Sequence, residues 1–443
     1  MWEGLARTRR QDRVLHGAAK ALNIVVGLIA LPLWLIGQAI GGPIRDLLVR
    51  LERRQARALP VPPSKPRTME ALTSELDGLK HHLRPNPVAE LRRGLADVSP
   101  FVLSQTREGA VLGYQYPSQF SQHIFEGADG ERISATIGLQ PEAGRPSAAP
   151  AGRPRTSRPG LIVVHGLFSS SRFDYVRQIA VRAYYDWGFN VAALDLRSFG
   201  LTELTTHAPS TAGWKEGEDI VALGRYMKGL GATSVGTLGI SLGGGAVVNA
   251  CNRDGAETAL DGGILAVSPP ADPLKAWSRL SEPVPPGHPR YPLHKAFHAM
   301  LVSRVRSGRW PAEAEEADSM AAVLELLAEP YYKLPAAEIW RHARGVDRIA
   351  DAKVPVLILH PEDDVIVKVE HARMLAEAAT GNDLVKVWIL PAGAHGILEA
   401  IDSTFTYNVY RLFFERWARY AERGERPGGF DAGPRPQARP VGI

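Results

Sequence analysis

The sequence predicts an α/β fold in which a mainly parallel central sheet is flanked by helices. The first observation is that short apolar runs alternate with helical stretches between residues 161 and 390, as in repeated β-α-β units. The second is the Asp129-Gly130 turn between two alternating segments, which is typical of a β-hairpin. The third is a mostly helical stretch, residues 271–345, which interrupts the alternation and predicts a helical cap.

The predicted elements follow one another in a single domain, residues 120–422. The hairpin strands are expected at residues 123–126 and 132–139. A Pro/Ala/Gly/Arg-rich stretch, residues 141–159, follows and is typical of a flexible surface insertion. The other strands are expected at 161–165, 191–195, 234–239, 263–268, 354–360 and 384–390, with helices at 175–187 and 216–228. A Gly/Pro/Arg-rich tail, residues 423–443, is expected to be disordered.

An uncharged apolar segment, residues 21–44, lies near the N-terminus with basic residues on both sides. It is long enough for a membrane-spanning helix, which needs about 20 residues, and it is apolar all round rather than striped. A signal peptide and a buried helix of a soluble protein are the alternatives, and no clean Ala-x-Ala cleavage site follows the segment. We predict a basic region with a membrane anchor at residues 1–58 and a linker with a helical extension at 59–119.

The positive charge of the chain is concentrated in the same region. Of a net charge of +5, residues 1–60 contribute +6, from ten Lys or Arg and four Asp or Glu, so the rest of the chain carries −1. This distribution indicates attraction to anionic lipids, and we expect no nucleic-acid partner. The two flanks of the segment carry equal charge, so the positive-inside rule gives no orientation. We predict a membrane location, with the cytoplasmic side slightly favoured for the main domain; the single Cys251 permits no intramolecular disulfide.

The motif Gly239-Ile240-Ser241-Leu242-Gly243 follows a predicted strand and precedes a run of small residues. A Gly-x-Ser-x-Gly sequence between a strand and a helix places the serine on a tight turn, with its hydroxyl projecting from the sheet edge. The flanking glycines allow the backbone to pass closely. Chance occurrence in a glycine-rich chain is the alternative, but candidate partners follow downstream. We therefore predict that Ser241 is a nucleophile.

A serine nucleophile needs a base, and the base needs an orienting acid. Asp363 and Asp364 directly follow a predicted strand, and His395 follows the last strand in a loop rich in small residues. We favour Asp364 as the acid, with Asp363 as the alternative, and His395 as the base. His360 is the nearest competing histidine, but it precedes the acid in the chain.

The tetrahedral intermediate of acyl transfer needs backbone N–H donors. We expect these donors to be Leu242, after the nucleophile, and Leu167, after His165-Gly166, with His165 bracing the loop. No cluster of Cys and His has metal-ligand spacing, and no phosphate-binding glycine loop with a following lysine is present. We expect neither a metal nor an organic cofactor.

Five segments together resemble the α/β-hydrolase superfamily: HGLFSSS (165–171), LDLRSFG (194–200), GISLGGG (239–245), LILHPEDDVIV (357–367) and GAHG (393–396). The resemblance implies an α/β-hydrolase fold over about residues 120–420. It is strongest to the membrane-anchored abhydrolase-domain esterases, phospholipases and alcohol acyltransferases. That branch usually has Asn-x-Arg-Gly where this chain has Asp195-Leu196-Arg197-Ser198, and often Gly-Gly-His where it has Gly393-Ala394-His395. We expect Asp195 and Arg197 to pair and to brace their loop.

The favoured function is hydrolysis of carboxylic esters, with lipid or other hydrophobic acyl substrates preferred because of the cap and the predicted membrane anchor. The first alternative is acyl transfer to an alcohol or amine through the same acyl-enzyme. The second is a membrane-tethered scaffold on an inactive hydrolase fold, which usually lacks a triad residue, whereas all three are present here. The sequence gives no oligomeric state.

Overall fold

The computed structural model describes residues 116–141, 157–281, 285, 298, 301–306, 308–317, 319–364, 366–391, 393, 395–396, 398, 403–422 and 424. The predicted membrane segment, residues 21–44, lies outside the described residues. So do the linker and helical extension up to residue 115, and the tail apart from residue 424. Among the helices that are described, none is long and apolar enough to cross a bilayer.

A sheet of eight strands forms the centre of the described part of the chain. In chain order the strands are β1 Phe120–Glu126, β2 Arg132–Gly138, β3 Arg158–Val164, β4 Asn190–Asp195, β5 Ala232–Ile240, β6 Ile264–Val267, β7 Val356–Pro361 and β8 Val385–Leu390. Their spatial order is β1-β2-β4-β3-β5-β6-β7-β8. The β1–β2 and β2–β4 pairs are antiparallel, and all later pairs are parallel. The prediction of a hairpin joined to a mainly parallel sheet is therefore confirmed.

Helices connect the strands and flank the sheet. They are α1 Asp174–Tyr185, α2 Thr202–Thr205, α3 Trp214–Gly229, α4 Leu242–Ala250, α5 Ala256–Ala259, α6 Pro273–Ser281, α7 Met320–Tyr332, α8 Ala336–Ala343, α9 Glu370–Ala378 and α10 Ser403–Glu422. Residues 301–306 are also helical, and short 3-10 turns lie at Ala128–Gly130, Ala312–Glu316, Gly345–Asp347 and Ile349–Asp351.

Successive side chains of the central strands enter two separate hydrophobic cores. In β3, Ile162 and Val164 belong to one core, and Leu161 and Val163 belong to the other. Side chains alternate between the two faces of a strand, so both faces of this strand are buried. A fully apolar strand is typical of a parallel sheet that is covered by helices on both sides. This arrangement explains why the sequence shows continuous apolar runs rather than alternation.

The end of the predicted flexible insertion, residues 141–159, needs correction. Strand β3 begins at Arg158, so residues 158 and 159 belong to the sheet, whereas residues 142–156 are not described. Gly160 pairs with Asn190 on one side and Val235 on the other. Pairing with two neighbours extends the strand into a stretch whose Arg, Pro and Gly residues give no strand signal.

The helical stretch predicted at residues 271–345 lies between β6 and β7 and contains α6, residues 301–306, α7 and α8. Trp277 and Trp340 pack against each other within it, with ring centroids 5.3 Å apart. Trp310 and Tyr332 instead contact residues that follow β3 and β4. This helical stretch therefore packs against the edge of the sheet that carries the candidate site.

Candidate active site

Ser241 lies at the sharp turn between β5 and α4. Its backbone has φ 58° and ψ −119°, a conformation that L-residues rarely adopt and that is found where surrounding structure enforces it. The Ser241 N–H donates to the carbonyl of Val267 at the end of β6, and the Gly245 N–H donates to the Ser241 carbonyl. The turn is thus fixed from the neighbouring strand and from the following helix.

The glycines on either side of Ser241 permit very close backbone contacts. A Cβ at Gly239 would lie 2.2 Å from the Gly243 carbonyl oxygen. A Cβ at Gly243 would lie 2.5 Å from the carbonyl oxygen of His165. Neither position can hold a larger residue without moving backbone, which gives the steric reason for glycine on both sides of the serine.

His395 connects the other two predicted residues by hydrogen bonds. Its Nε2 lies 2.9 Å from Ser241 Oγ, and its Nδ1 lies 2.9 Å and 3.1 Å from the two carboxylate oxygens of Asp364. A carboxylate only accepts, so Nδ1 carries the proton and Nε2 is left to accept from the serine hydroxyl. The structure therefore brings together the three residues predicted as nucleophile, base and acid.

Asp364, and not Asp363, is the acid that reaches the histidine. The side chain of Asp364 is fully buried, and its Oδ1 accepts from the N–H groups of Ile366 and Val367 at 2.9 Å each. Burial alone would raise the pKa of Asp364, but the hydrogen bond and charge of His395 outweigh it, so that pKa is lowered. Asp363 is exposed to solvent. The carboxylate of Asp364 thus stays ionised and fixed in orientation.

His360, the competing histidine, faces the loop that carries the acid. Its Nε2 donates to the carbonyl of Val367 at 2.8 Å, and it lies 3.7 Å from Asp364 Oδ2, beyond hydrogen-bond distance. Burial lowers the pKa of His360, so the ring stays neutral. Its position supports the loop from Pro361 to Val367 rather than placing a base at the serine.

The two predicted oxyanion donors come from the residue after the nucleophile and from the loop that follows β3. The Leu242 N–H belongs to the first residue of α4, where backbone donors have no partner within the helix and the helix dipole favours negative charge. Leu167 follows Gly166, and a Cβ built on Gly166 would lie only 3.3 Å from the Ser241 Cβ. Among the described residues, neither N–H donates to a backbone carbonyl outside the regular helices and strands. Leu242 thus lies at a helix N-terminus, and Leu167 lies in the loop beside the serine.

His165 fixes the peptide group that carries the Leu167 N–H. Its Nε2 accepts from the Leu196 N–H at 3.0 Å, so the proton sits on Nδ1, which donates to the Gly166 carbonyl at 2.7 Å. Burial lowers the pKa of His165 to about 4, so the ring is neutral near pH 7. The bracing role predicted for His165 thus has a defined geometry.

Asp195 and Arg197 do not pair with each other, contrary to the prediction. Asp195 Oδ1 accepts from the Ser171 N–H at 2.6 Å and its Oδ2 from the Leu201 N–H at 3.0 Å. Arg197 turns instead to Asp219 on α3, with its Nε 2.7 Å from Oδ2. Asp195 ends β4 and Arg197 follows two residues later, but their side chains face different neighbours, which local spacing along the chain does not reveal.

Sequence reasoning also missed the role of one tyrosine. The hydroxyl of Tyr175, the second residue of α1, accepts from the Gly166 N–H at 2.8 Å and donates to Ser169 Oγ at 3.0 Å. No motif or spacing rule connects a helix residue to the loop before it, so the sequence carries no signal for this contact. Within the described residues, no group of three or more His, Cys, Asp or Glu side chains could hold a metal ion.

Residues 161–402, more than half of the chain, match the sequence profile of the alpha/beta hydrolase family. The chain belongs to the alpha/beta hydrolase family. Membership supports the assignment of this protein as a hydrolase. That this hydrolase belongs to the membrane-anchored branch, which its motifs resemble, stays a prediction.

Solved structures show a distant likeness to this hydrolase. An esterase of Pyrococcus furiosus is 16% identical over 68% of this chain and 93% of its own, with a TM-score of 0.46. The esterase domain of a Rhodothermus marinus protein is 19% identical over 69% and 98%, with a TM-score of 0.39. A puromycin-hydrolyzing peptidase of Mycobacterium tuberculosis is 14% identical over 66% and 37%, with a TM-score of 0.42. No curated protein matches the sequence.

Proposed function

We propose that this protein is a serine hydrolase that cleaves carboxylic esters, with lipid or other hydrophobic acyl esters as preferred substrates. One observation carries the proposal. Ser241, His395 and Asp364 form an unbroken chain of hydrogen bonds, and the serine occupies the turn that exposes its hydroxyl. This is the geometry that turns a weak hydroxyl nucleophile into a reactive one.

The reaction follows from the positions of these groups. Ser241 Oγ attacks the acyl carbon of the ester while His395 Nε2 takes the hydroxyl proton. Asp364 stabilises the imidazolium, and the N–H groups of Leu167 and Leu242 donate to the oxyanion. The tetrahedral intermediate expels the alcohol, which receives the proton from His395. Water then attacks the acyl-enzyme by the reverse proton path, releasing the carboxylic acid and free Ser241.

The preference for hydrophobic acyl groups is supported by aromatic side chains next to the oxyanion loop. Phe168, the residue after Leu167, lies with its ring centroid 6.1 Å from that of Phe199 and 5.9 Å from that of Trp310. Trp310 comes from the predicted cap. Phe199 and Trp310 are buried and Phe168 is partly exposed, so Phe168 is the member of this cluster that an apolar acyl chain can contact and cover from water.

The proposal is tested by turnover of p-nitrophenyl esters with short, medium and long acyl chains. We expect wild type to hydrolyse the longer esters with the higher kcat/KM, and Ser241→Ala to lose at least about 10³-fold in kcat. Ser278→Ala, which changes an exposed serine of α6, is the matched control and should keep wild-type turnover. Equal turnover by Ser241→Ala would contradict the proposal.

Product analysis separates hydrolysis from acyl transfer. With a long-chain ester and excess alcohol, the proposal expects free carboxylic acid as the main product. A new ester as the main product would assign the second half-reaction to acyl transfer and overturn hydrolysis as the function.

We propose in addition that residues 21–44 anchor the protein in a membrane. The proposal rests on the length and apolar character of this segment and on the surrounding positive charge. In full-length protein, the double change Leu31→Arg and Leu35→Arg should move the protein from the membrane fraction to the soluble fraction. Ser278→Ala should remain with the membranes. Extraction of wild type by high salt alone would contradict insertion.

A further inference from the structure

We propose that Tyr175 is a positioning residue that holds the Leu167 N–H in place as an oxyanion donor. The inference rests on the proposed ester hydrolysis and goes beyond it, since neither the motifs nor the triad involves this tyrosine. The observation is a single hydroxyl that joins two points of the loop between β3 and α1.

The hydroxyl of Tyr175 contacts the loop on both sides of Leu167. The Gly166 N–H, one residue before the donor, gives its hydrogen bond to Tyr175 Oη at 2.8 Å. Ser169, two residues after the donor, accepts the hydroxyl proton of Tyr175 at 3.0 Å. Gly166 and Ser169, at the two ends of the stretch that contains Leu167, thus both bond to the same hydroxyl group.

The helix makes this oxygen a fixed point. Tyr175 lies in the first turn of α1, whose later residues Val176, Ile179 and Ala180 are fully buried in the core. The ring of Tyr175 also packs edge-on against Phe173, with centroids 6.4 Å apart. Because the helix is packed rigidly in the core, the Tyr175 side chain gives the loop a fixed point of attachment.

The two peptide groups around Gly166 are then both fixed. Tyr175 holds the N–H of the peptide before Gly166, and His165 Nδ1 holds the carbonyl of the peptide after it. In a trans peptide the C=O and N–H point in opposite directions, so holding the Gly166 carbonyl sets the direction of the Leu167 N–H. Tyr175 prevents rotation at the preceding peptide, which would otherwise turn the whole Gly166 unit.

Gly166 lies next to both the nucleophile and the Tyr175 hydroxyl. A Cβ built on Gly166 would be 3.3 Å from Ser241 Cβ and 3.6 Å from Tyr175 Oη. The hydroxyl proton is donated to Ser169, and the oxygen accepts from Gly166. Through these two hydrogen bonds Tyr175 holds the backbone of the loop, and we expect its effect on the reaction in the transition state rather than in substrate binding.

The experiment compares Tyr175→Phe with Tyr184→Phe in the full-length protein. Tyr184 lies on the same helix, and its hydroxyl donates to the Leu139 carbonyl at 3.1 Å. Both changes remove one hydroxyl and keep the ring. Backbone hydrogen exchange across residues 165–173 and steady-state turnover of a p-nitrophenyl ester are measured for both.

For Tyr175→Phe we expect roughly tenfold faster exchange at Gly166, the size expected from one lost neutral hydrogen bond. We also expect kcat to fall about 10- to 100-fold with KM within about twofold, because a displaced donor weakens only the transition state. Affinity for a trifluoromethyl ketone, which forms an oxyanion on Ser241, should fall in parallel with kcat/KM. Tyr184→Phe should leave exchange in this loop and kcat at wild-type values.

Unchanged exchange in Tyr175→Phe would overturn the structural basis of the proposal, whatever the enzyme does. Faster exchange with unchanged kcat, in a wild type that hydrolyses the ester, would overturn the positioning role alone. A wild type that hydrolyses no ester and binds no trifluoromethyl ketone would overturn the proposed function and, with it, the catalytic purpose of Tyr175. The exchange measurement therefore distinguishes failure of the loop contact from failure of the proposed function.

Discussion

His395 Nδ1 lies 2.9 Å from Asp364 Oδ2, and this contact joins two loops that follow neighbouring strands, β7 and β8. The carboxylate is buried, whereas the imidazole side chain remains about one-fifth exposed, at 21%. The buried carboxylate fixes the tautomer of His395, and the other ring nitrogen, Nε2, stays available to accept the proton of the Ser241 hydroxyl. Each feature of this arrangement has a measurable consequence.

The change Asp364→Asn should lower kcat by about 10⁴-fold, because an amide can stabilise the wrong tautomer of His395 and cannot stabilise the imidazolium. The fold should be retained, since asparagine has nearly the same shape. Asp363→Asn, at the exposed neighbouring position, should keep at least half of wild-type kcat. The two variants are compared by ester turnover, and circular dichroism checks that both are folded. Reversed effects would identify Asp363 as the acid.

Breaking the buried pair of Arg197 and Asp219 should destabilise the protein more than breaking an exposed pair. Arg197 is fully buried, donates to both oxygens of Asp219, and also reaches the hydroxyl of Tyr332 at 2.9 Å. Asp219→Asn should cost about 3–5 kcal/mol of unfolding free energy, because it leaves a buried charge without its partner. Urea unfolding of the purified protein measures this loss.

The matched control for that pair is Glu338, which faces Arg341 at 3.4 Å on α8 with side chains 38% and 66% exposed. Glu338→Gln should cost less than about 1 kcal/mol, since solvent screens an exposed pair. Equal losses for Asp219→Asn and Glu338→Gln would contradict the expected cost of leaving the buried charge of Arg197 without its partner.

Stability should fall on mild acidification, and His371 on α9 should account for part of the loss. Burial lowers the pKa of His371 from its ordinary 6.5 to about 4, with the nearby His360 adding to the shift. The unfolded chain therefore binds more protons between pH 6.5 and pH 4. The contribution of neutral His371 to the unfolding free energy is therefore complete above pH 6.5. About 3 kcal/mol of it is lost as the pH falls towards 4.

The change His371→Gln removes this titrating group, so the unfolding free energy should depend less steeply on pH between 6.5 and 4. His207→Gln, at an exposed position, is the control for replacing a histidine by glutamine. Urea unfolding at several pH values measures the slopes. A slope for His371→Gln equal to that of wild type would show that His371 is not held neutral by burial.

Gly243, two residues after the nucleophile, should not tolerate a methyl group. In Gly243→Ala, the new Cβ would lie 2.5 Å from the His165 carbonyl, and only backbone movement relieves that contact. We expect a loss of about 1–3 kcal/mol in stability and a loss of turnover, since the contact joins the nucleophile turn to the oxyanion loop. Gly229→Ala, where no atom lies within 4 Å, should be neutral or stabilising in a thermal melt.

The sequence allowed prediction of those parts of the site that depend on local patterns. Ser241 is preceded by an apolar strand and surrounded by glycines, so its turn was predictable from one short segment. His395 and Asp364 were predictable because parallel strands end at the same edge of the sheet, which places their loops near the serine. The mainly parallel sheet was predictable from the alternation of apolar runs and helical stretches along the chain, whereas the position of β4 between β2 and β3 was not.

Contacts between distant side chains were not predictable. Arg197 was expected to pair with Asp195, two residues away, but the structure brings it to Asp219 on another element. The contact of Tyr175 with Gly166 depends on how α1 packs on the sheet, which no local pattern encodes. The choice between Asp363 and Asp364 was left open for a similar reason, because burial of one carboxylate depends on the surrounding loops.

The most direct test of the central claim is labelling of the purified protein with a fluorophosphonate probe, which forms a covalent bond only with an activated serine. Wild type should label, whereas Ser241→Ala and His395→Ala should not, and the exposed controls Ser278→Ala and His207→Ala should label as wild type does. All variants are first shown to be folded by circular dichroism. Labelling of Ser241→Ala, or no labelling of folded wild type in detergent and in bilayers, would contradict an activated serine at this position.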